Sequence, residues 1–263
     1  MNTTPDEPTR ETLVDTDDDL QRADEDEDLR SSVASLATLA TSTLGLNELL
    51  TEVAGFAVRA IPGADGAGLT LIESSRTDTI VTTAPFVREV DDIQYGIGQG
   101  PCISAATEGQ TIISGSLGGD KRWPRFGARV ARLGVHSALS LPLITPTGVV
   151  GAINVYARAK HTFDERAAAL GEMFAVPAAI AVQNAQVLAE ARRLAHRLQQ
   201  ALETRAVIDR AVGILMSRSG VTEQEALVRL RTLSQHEHSK LPEIAQTIVN
   251  EAVKRARSRH ARG

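Results

Sequence analysis

The sequence predicts an α+β domain with a mostly antiparallel sheet flanked by helices, then one long helix able to form a coiled coil, then a small all-α domain of three helices. Three observations carry that expectation. Between residues 66 and 157, short runs of apolar and β-branched residues recur with turn signals between them, which is the pattern of strands. From Val187 to Leu215, apolar or small residues recur in alternating steps of four and three, the spacing of a helix that pairs with another helix. After Ser219-Gly220 the pattern stops and resumes as two shorter amphipathic helices.

A chain of 263 residues suits one or two domains, and 42% hydrophobic residues with only 3% aromatics describes a core built from Ala, Val, Leu and Ile. No run of 18 apolar residues occurs, and the first residues are acidic rather than basic-then-apolar. A cytoplasmic protein with no membrane partner is therefore expected. The single Cys102 excludes an internal disulfide and a cysteine-based zinc cluster, and fits a reducing compartment. The net charge of −5 hides an asymmetry: residues 1–29 carry twelve acidic side chains against Arg10 and Arg22, while residues 201–263 carry eleven Lys/Arg against seven Asp/Glu.

In chain order, residues 1–29 lack apolar periodicity and are expected to be a disordered acidic tail. Residues 30–185 form the α+β domain. A helical pattern from Leu29 is broken near Gly45 and ended by Pro62-Gly63. Strands follow at 66–72, 79–84, 111–113, 137–143 and 148–157, the last two joined as a hairpin across Thr145-Pro146-Thr147-Gly148, and the helices are expected to cover one side of the sheet. Thr162 with Glu165 reads as a capping box opening the closing helix. That helix runs into a coiled-coil linker, 186–200, whose seam is Val187, Ala191, Leu194, Leu198, Ala201 and, past the polar Arg205, Ile208. A parallel homodimer through this seam is expected. The three-helix domain occupies 201–253, with a second capping box at Thr222-Glu225 and a third helix capped by Ser239. A basic tail fills 254–263.

Two stretches resemble known families. DGAGLTLI, GIGQGPCISAATEGQTIIS and LSLPLITPTGVVGAINVYARAKHTFDERAAALGEMFA, in that order, resemble a GAF domain. RAVIDRAVGILMSRSGVTEQEALVRLRTLSQHEHSKLPEIAQTIV resembles the ANTAR domain of bacterial transcription antiterminators. The second resemblance implies RNA as partner: paired stem-loops in the leader of a nascent mRNA, bound so that a terminator does not form. The first implies sensing, dimerisation or both, with a small-molecule ligand of unknown identity as a candidate. ANTAR domains carry a small-residue patch near the RNA, here Ala211 and Gly213, and the surrounding candidates for RNA contact are Arg205, Arg210, Arg218, Ser234, Gln235 and Lys240. Where the family usually carries Gln and Lys, this chain has Arg210 and Val212. Guanidinium groups bind phosphates bidentately and stack on unpaired bases.

Trp123, Asn154 and Tyr156 are candidates for a ligand site in the α+β domain, with core packing as the competing reading. Cys102 stands where a helix begins, so it is either a buried small hydrophobe or a thiol of lowered pKa. His236 and His238 lack a third ligand nearby, so no metal is expected, and neither a cofactor nor an enzyme is indicated by the motifs. The rival of an RNA-binding regulator is a GAF-based signalling adaptor that dimerises through its helical tail.

Overall fold

The computed structural model describes residues 10–39, 44–73 and 76–260. The chain divides into two compact units, Met1–Ala189 and Glu190–Gly263. The first contains α1 (Arg10–Leu39), α2 (Leu46–Ala60), β1 (Gly66–Glu73), β2 (Arg76–Thr82), α3 (Pro85–Ile97), α4 (Pro101–Glu108), β3 (Ile112–Ser114), α5 (Pro124–Val130), β4 (Ser137–Thr145) and β5 (Gly148–Ala157). Helix α6 (Glu165–Ser219) begins in this unit and ends in the second, where α7 (Glu223–His236) and α8 (Leu241–His260) follow.

The five strands form one sheet in the order β2-β1-β5-β4-β3, antiparallel throughout. Alternation along β5 sends Ile153, Val155 and Ala157 to one face and Asn154 and Tyr156 to the other. On the first face, Leu69, Leu141, Leu143 and Val155 pack with α1, α2 and the first part of α6 in the larger core. On the second, Ala138 and Tyr156 pack with Val87 and Val90 of α3, Ala105 of α4 and Phe126 of α5. Helices therefore cover both faces, not one. The missed cover is α3, whose inward residues are Val87, Val90, Asp91 and Gln94. Their spacing is helical, but two of the four are polar, so hydrophobicity alone does not reveal the face.

The acidic head departs from expectation: residues 10–29 belong to α1, and residues 1–9 lie outside the described residues. Leu29 and Leu36 are buried in the larger core, so the helix is nucleated there and needs only to propagate upstream. Arg22 pairs with Asp18 at 2.9 Å, and Arg166 of α6 reaches across to Glu25 at 3.6 Å and to Asp26. These contacts offset part of the repulsion among its acidic side chains.

Two caps also differ. Asp164, not Thr162, opens α6: its Oδ1 accepts from the Ala167 amide at 2.8 Å, while the Thr162 hydroxyl donates to the Ala159 carbonyl. The capping box at Thr222 and Glu225 is formed as expected, and Gly220 at φ 64° ends α6 in the left-handed region. Helix α8 is opened by Lys240, whose amide donates to Glu243 Oε2 at 3.2 Å, one residue beyond the expected Ser239. It continues to His260, so residues 254–260 of the expected tail are helical. Residues 261–263 lie outside the described residues.

Candidate functional site

In the C-terminal unit, α6 presents Ile208, Ala211, Val212 and Leu215 to a core completed by Ala226 and Leu230 of α7 and Ile244 and Ala245 of α8. The spacing of three, four and seven puts those four on one face of the helix. Ala211 is fully buried there, which removes it from the residues able to touch RNA: it is small because helices close over it. Ile208 is half-buried against the same core, so the expected seam meets the three-helix core at its distal end.

Gly213 lies two residues from Ala211, about 200° around the helix at 100° per residue. It is exposed, and a methyl group added to it would meet nothing within 4 Å. Ala206, Arg210 and Ser217 share its outward side and are exposed too. The result is a narrow strip of small residues flanked by Arg210 on one side and by the exposed Asp209 and Met216 on the other. Arg210 Nε donates to the Ala206 carbonyl at 3.0 Å, which lays the exposed side chain back along the helix. Ala206 and Ser217 were not among the sequence candidates. Their spacing of seven and four residues from Gly213 is the signal that marks them.

The other candidates fall into separate places. Arg205 is exposed toward the edge of the strip and pairs with Asp209 at 3.8 Å. Arg218 is exposed in the last turn of α6, well around the helix from Gly213. Ser234, Gln235 and Lys240 gather at the α7–α8 turn. The Ser234 hydroxyl donates to the Ser239 carbonyl at 2.6 Å and the Ser239 amide donates back to the Ser234 carbonyl at 3.2 Å, so Ser234 holds the turn. Gln235 and the Lys240 side chain remain exposed. Among the described residues no group of three His, Cys, Asp or Glu could hold a metal ion.

In the first unit, the second face of the sheet carries a buried polar layer. Tyr156 donates to Asp91 Oδ1 at 2.6 Å, Ser140 donates to Asn154 Oδ1 at 2.9 Å, and the hydroxyls of Thr70 and Tyr95 are 2.5 Å apart. Gln94 Oε1 accepts from the Cys102 amide at 3.0 Å, and Cys102 Sγ lies 3.3 Å from the Tyr95 hydroxyl. Gly68 makes the closure feasible: a Cβ there would meet Asp91 Oδ2 at 2.5 Å. Burial pushes the Cys102 thiol up to about 11, with the Asp91 carboxylate adding to the shift, so the thiol is protonated at neutral pH. Desolvation raises the Tyr95 and Tyr156 phenols as well. Asn154 and Tyr156 thus point into this layer, while Trp123 is buried beside it with its indole N–H on Ser104 Oγ at 3.2 Å. The layer is not legible in the sequence because Asp91, Gln94 and Tyr95 sit on α3, whose inward face is half polar.

Family models match two parts of the chain: a GAF domain over residues 43–183 and an ANTAR domain over residues 196–249. No curated protein matches the sequence. Among solved structures, the chain is similar to the GAF domain of a phosphoenolpyruvate-protein phosphotransferase from Coxiella burnetii, at 16% identity and TM-score 0.48 over 61% of this chain and 96% of that one. It is similar to free methionine-R-sulfoxide reductase from Neisseria meningitidis, at 16% and 0.47 over 61% and 91%. It is also similar to the GAF domain of an Acinetobacter phosphoenolpyruvate-protein phosphotransferase, at 12% and 0.46 over 62% and 97%. No helix among the described residues is long and apolar enough to cross a membrane. A GAF domain is a sensor and an ANTAR domain an RNA-binding antitermination module. With the GAF match covering more than half of its 263 residues and the ANTAR match falling on the C-terminal helices, the chain belongs to the GAF family and is a GAF–ANTAR regulator.

Proposed function

We propose that this regulator, not itself an enzyme, binds paired stem-loops in the leader of a nascent mRNA and keeps a terminator from forming, acting in the cytoplasm as a parallel homodimer. The observation that carries the reading is the outward strip of Ala206, Gly213 and Ser217 with Arg210 beside it. A strip of small residues admits an unpaired base, and the guanidinium beside it can take a phosphate or stack. Lys240 and Gln235 at the α7–α8 turn add a cation and an amide, and Arg205 and Arg218 further cations.

One such domain offers few contacts and binds weakly alone. Two domains on one dimer, meeting two loops on one RNA, gain roughly 10²–10⁴ in avidity. Val187, Ala191, Leu194, Leu198 and Ala201, all exposed on α6, support the pairing. The GAF unit serves as sensor, as dimeriser, or as both. The test is fluorescence anisotropy with an RNA carrying two stem-loops against one carrying a single loop. Much tighter binding of the two-loop RNA is expected, and equal affinity for both would end the paired-site mechanism.

A further inference from the structure

Charge is segregated within the GAF unit. From Lys121 to Phe163 the chain holds seven Lys/Arg and not one Asp or Glu, whereas residues 30–120 hold four Lys/Arg against ten Asp/Glu. The cations gather about α5. Phe126 and Val130 of that helix are buried, so its opposite side carries Arg125, Ala128 and Arg129, all exposed. Arg132 follows, also exposed, in the turn Ala131–Leu133, and Lys121 stands exposed just before the helix. Arg158, at the end of β5, joins them: its guanidinium lies 3.7 Å from where a Cβ on Gly134 would sit.

These side chains are cations without counter-ions. Elsewhere guanidinium groups find carboxylates: Arg22 pairs with Asp18, Arg166 with Glu25 and Asp26, and Arg197 with Glu190. Arg122 does the same through Asp120, which removes it from the set. Among the described residues no ion pair joins Lys121, Arg125, Arg129, Arg132 or Arg158 to a carboxylate. Like charges at the four-residue spacing of Arg125 and Arg129 repel, and Arg125 stands in the first turn of α5, where the helix dipole disfavours a cation. The arrangement costs the fold stability, and no pairing among the described residues offsets it. It is also held firmly. A Cβ on Gly127 would overlap the Leu117 carbonyl, so α5 lies directly on the backbone of the preceding turn.

We propose that the arginine face of α5, with Lys121 and Arg158 beside it, is a second phosphate-binding surface by which the GAF unit holds RNA outside the recognised loops. The inference rests on the RNA-binding reading above and extends it to the other unit. Arg125 and Arg129 succeed one another by about 6 Å along the helix axis, which suits a polymer carrying a charge at every repeat. The planar fork of arginine takes two phosphate oxygens at once and needs no particular base. The chain's own acidic head is not the occupant: α1 packs on the opposite face of the sheet, where Arg166 engages Glu25 and Asp26. Phosphate contacts position RNA without reading its sequence, so this surface adds affinity while the ANTAR unit keeps the choice of loop.

Fluorescence anisotropy over a salt series, on the full-length chain, tests this with Arg125→Gln, Arg129→Gln and Arg132→Gln combined. Binding to a two-stem-loop RNA should weaken about tenfold at low salt, and the slope of log K against log salt should flatten by about 2, at roughly 0.7 per phosphate on single-stranded RNA. Circular dichroism should be unchanged because all three side chains are exposed. Arg125→Lys, Arg129→Lys and Arg132→Lys combined should keep the wild-type slope, which separates charge from packing. On an RNA with scrambled loops the Gln variant should lose the same factor, whereas Gly213→Leu should cost nothing further. Wild-type affinity and slope in the Gln variant would overturn the α5 surface, and a loss seen only with Gly213→Leu would leave the RNA reading standing. If the Gln variant differs from wild type only while residues 2–28 are present, the face belongs to the acidic head of a second copy and the proposal is overturned. A wild type that bound no RNA would end both readings.

Discussion

Ala211 and Gly213 stand two residues apart on α6 and face opposite ways, Ala211 buried between α7 and α8 and Gly213 open to solvent. The same small size serves two purposes. Ala211→Leu should overpack the three-helix core and destabilise the C-terminal unit by about 1–3 kcal/mol. Gly213→Leu should leave its melting temperature equal or higher, since an exposed mid-helix glycine costs up to about 1 kcal/mol. RNA affinity should nevertheless fall by roughly tenfold or more, about 1.4 kcal/mol. Thermal melts and RNA titrations of both variants separate the two roles. A Gly213→Leu protein that binds RNA normally would exclude the outward strip as the contact surface.

Arg210→Ala removes the guanidinium beside that strip. Binding should weaken, and the slope of log K against log salt should flatten by about 0.7 if a phosphate on single-stranded RNA is lost. An unchanged slope with weaker binding would assign Arg210 to base stacking instead.

Residues 1–29 place a balance of −10 on the same molecule as the basic C-terminal unit. Deleting residues 2–28 should tighten RNA binding at low salt, with the gain fading as the screening length shrinks from about 10 Å at 0.1 M to 3 Å at 1 M. Affinities that match at low salt would make the head a bystander.

Cys102 should resist alkylation in the folded chain at pH 8 and react rapidly in denaturant, because burial holds its thiol near 11 against an ordinary 9.0. The neutral thiol is favoured by folding, so this group's contribution to stability is complete below about pH 9 and declines as pH rises toward 11. Rapid native labelling would show that the α3–α4 cover opens readily.

Asp120 accepts from Arg122 Nη2 at 2.7 Å and from Ser114 Oγ at 2.8 Å, and Arg122 stacks on Trp123. The Arg122 hydrogen bonds, foremost, hold its carboxyl down at about 2. A depressed carboxylate stabilises the fold above its ordinary value of 3.8, and that contribution is lost as pH falls through about 2. Asp120→Asn should lower the melting temperature at pH 7 by about 2–4 °C, the shift expected of ~1 kcal/mol for a part-exposed pair. The difference from wild type should shrink as pH falls through about 2; a constant offset would assign the effect to packing.

Local chemistry was enough to determine several elements from the residues alone. The apolar runs around Leu141 and Ile153 with Pro146 and Gly148 between them specify the β4–β5 hairpin. Thr222 with Glu225 specifies the start of α7, and the heptad spacing specifies the length of α6. Each rests on groups a few residues apart. What the spacing could not state is who covers each apolar face. Leu198 and Ile208 belong to one seam in the sequence, yet Leu198 is exposed and Ile208 lies against α7 and α8. Periodicity reports that a face is apolar, and only the packed chain reports which partner covers it. For the same reason the sequence carries no sign that Asp91 and Gln94 are buried. Tertiary structure alone decided that a polar pair would be buried, because its hydrogen-bond partners, Tyr156 and the Cys102 amide, come from elsewhere in the chain.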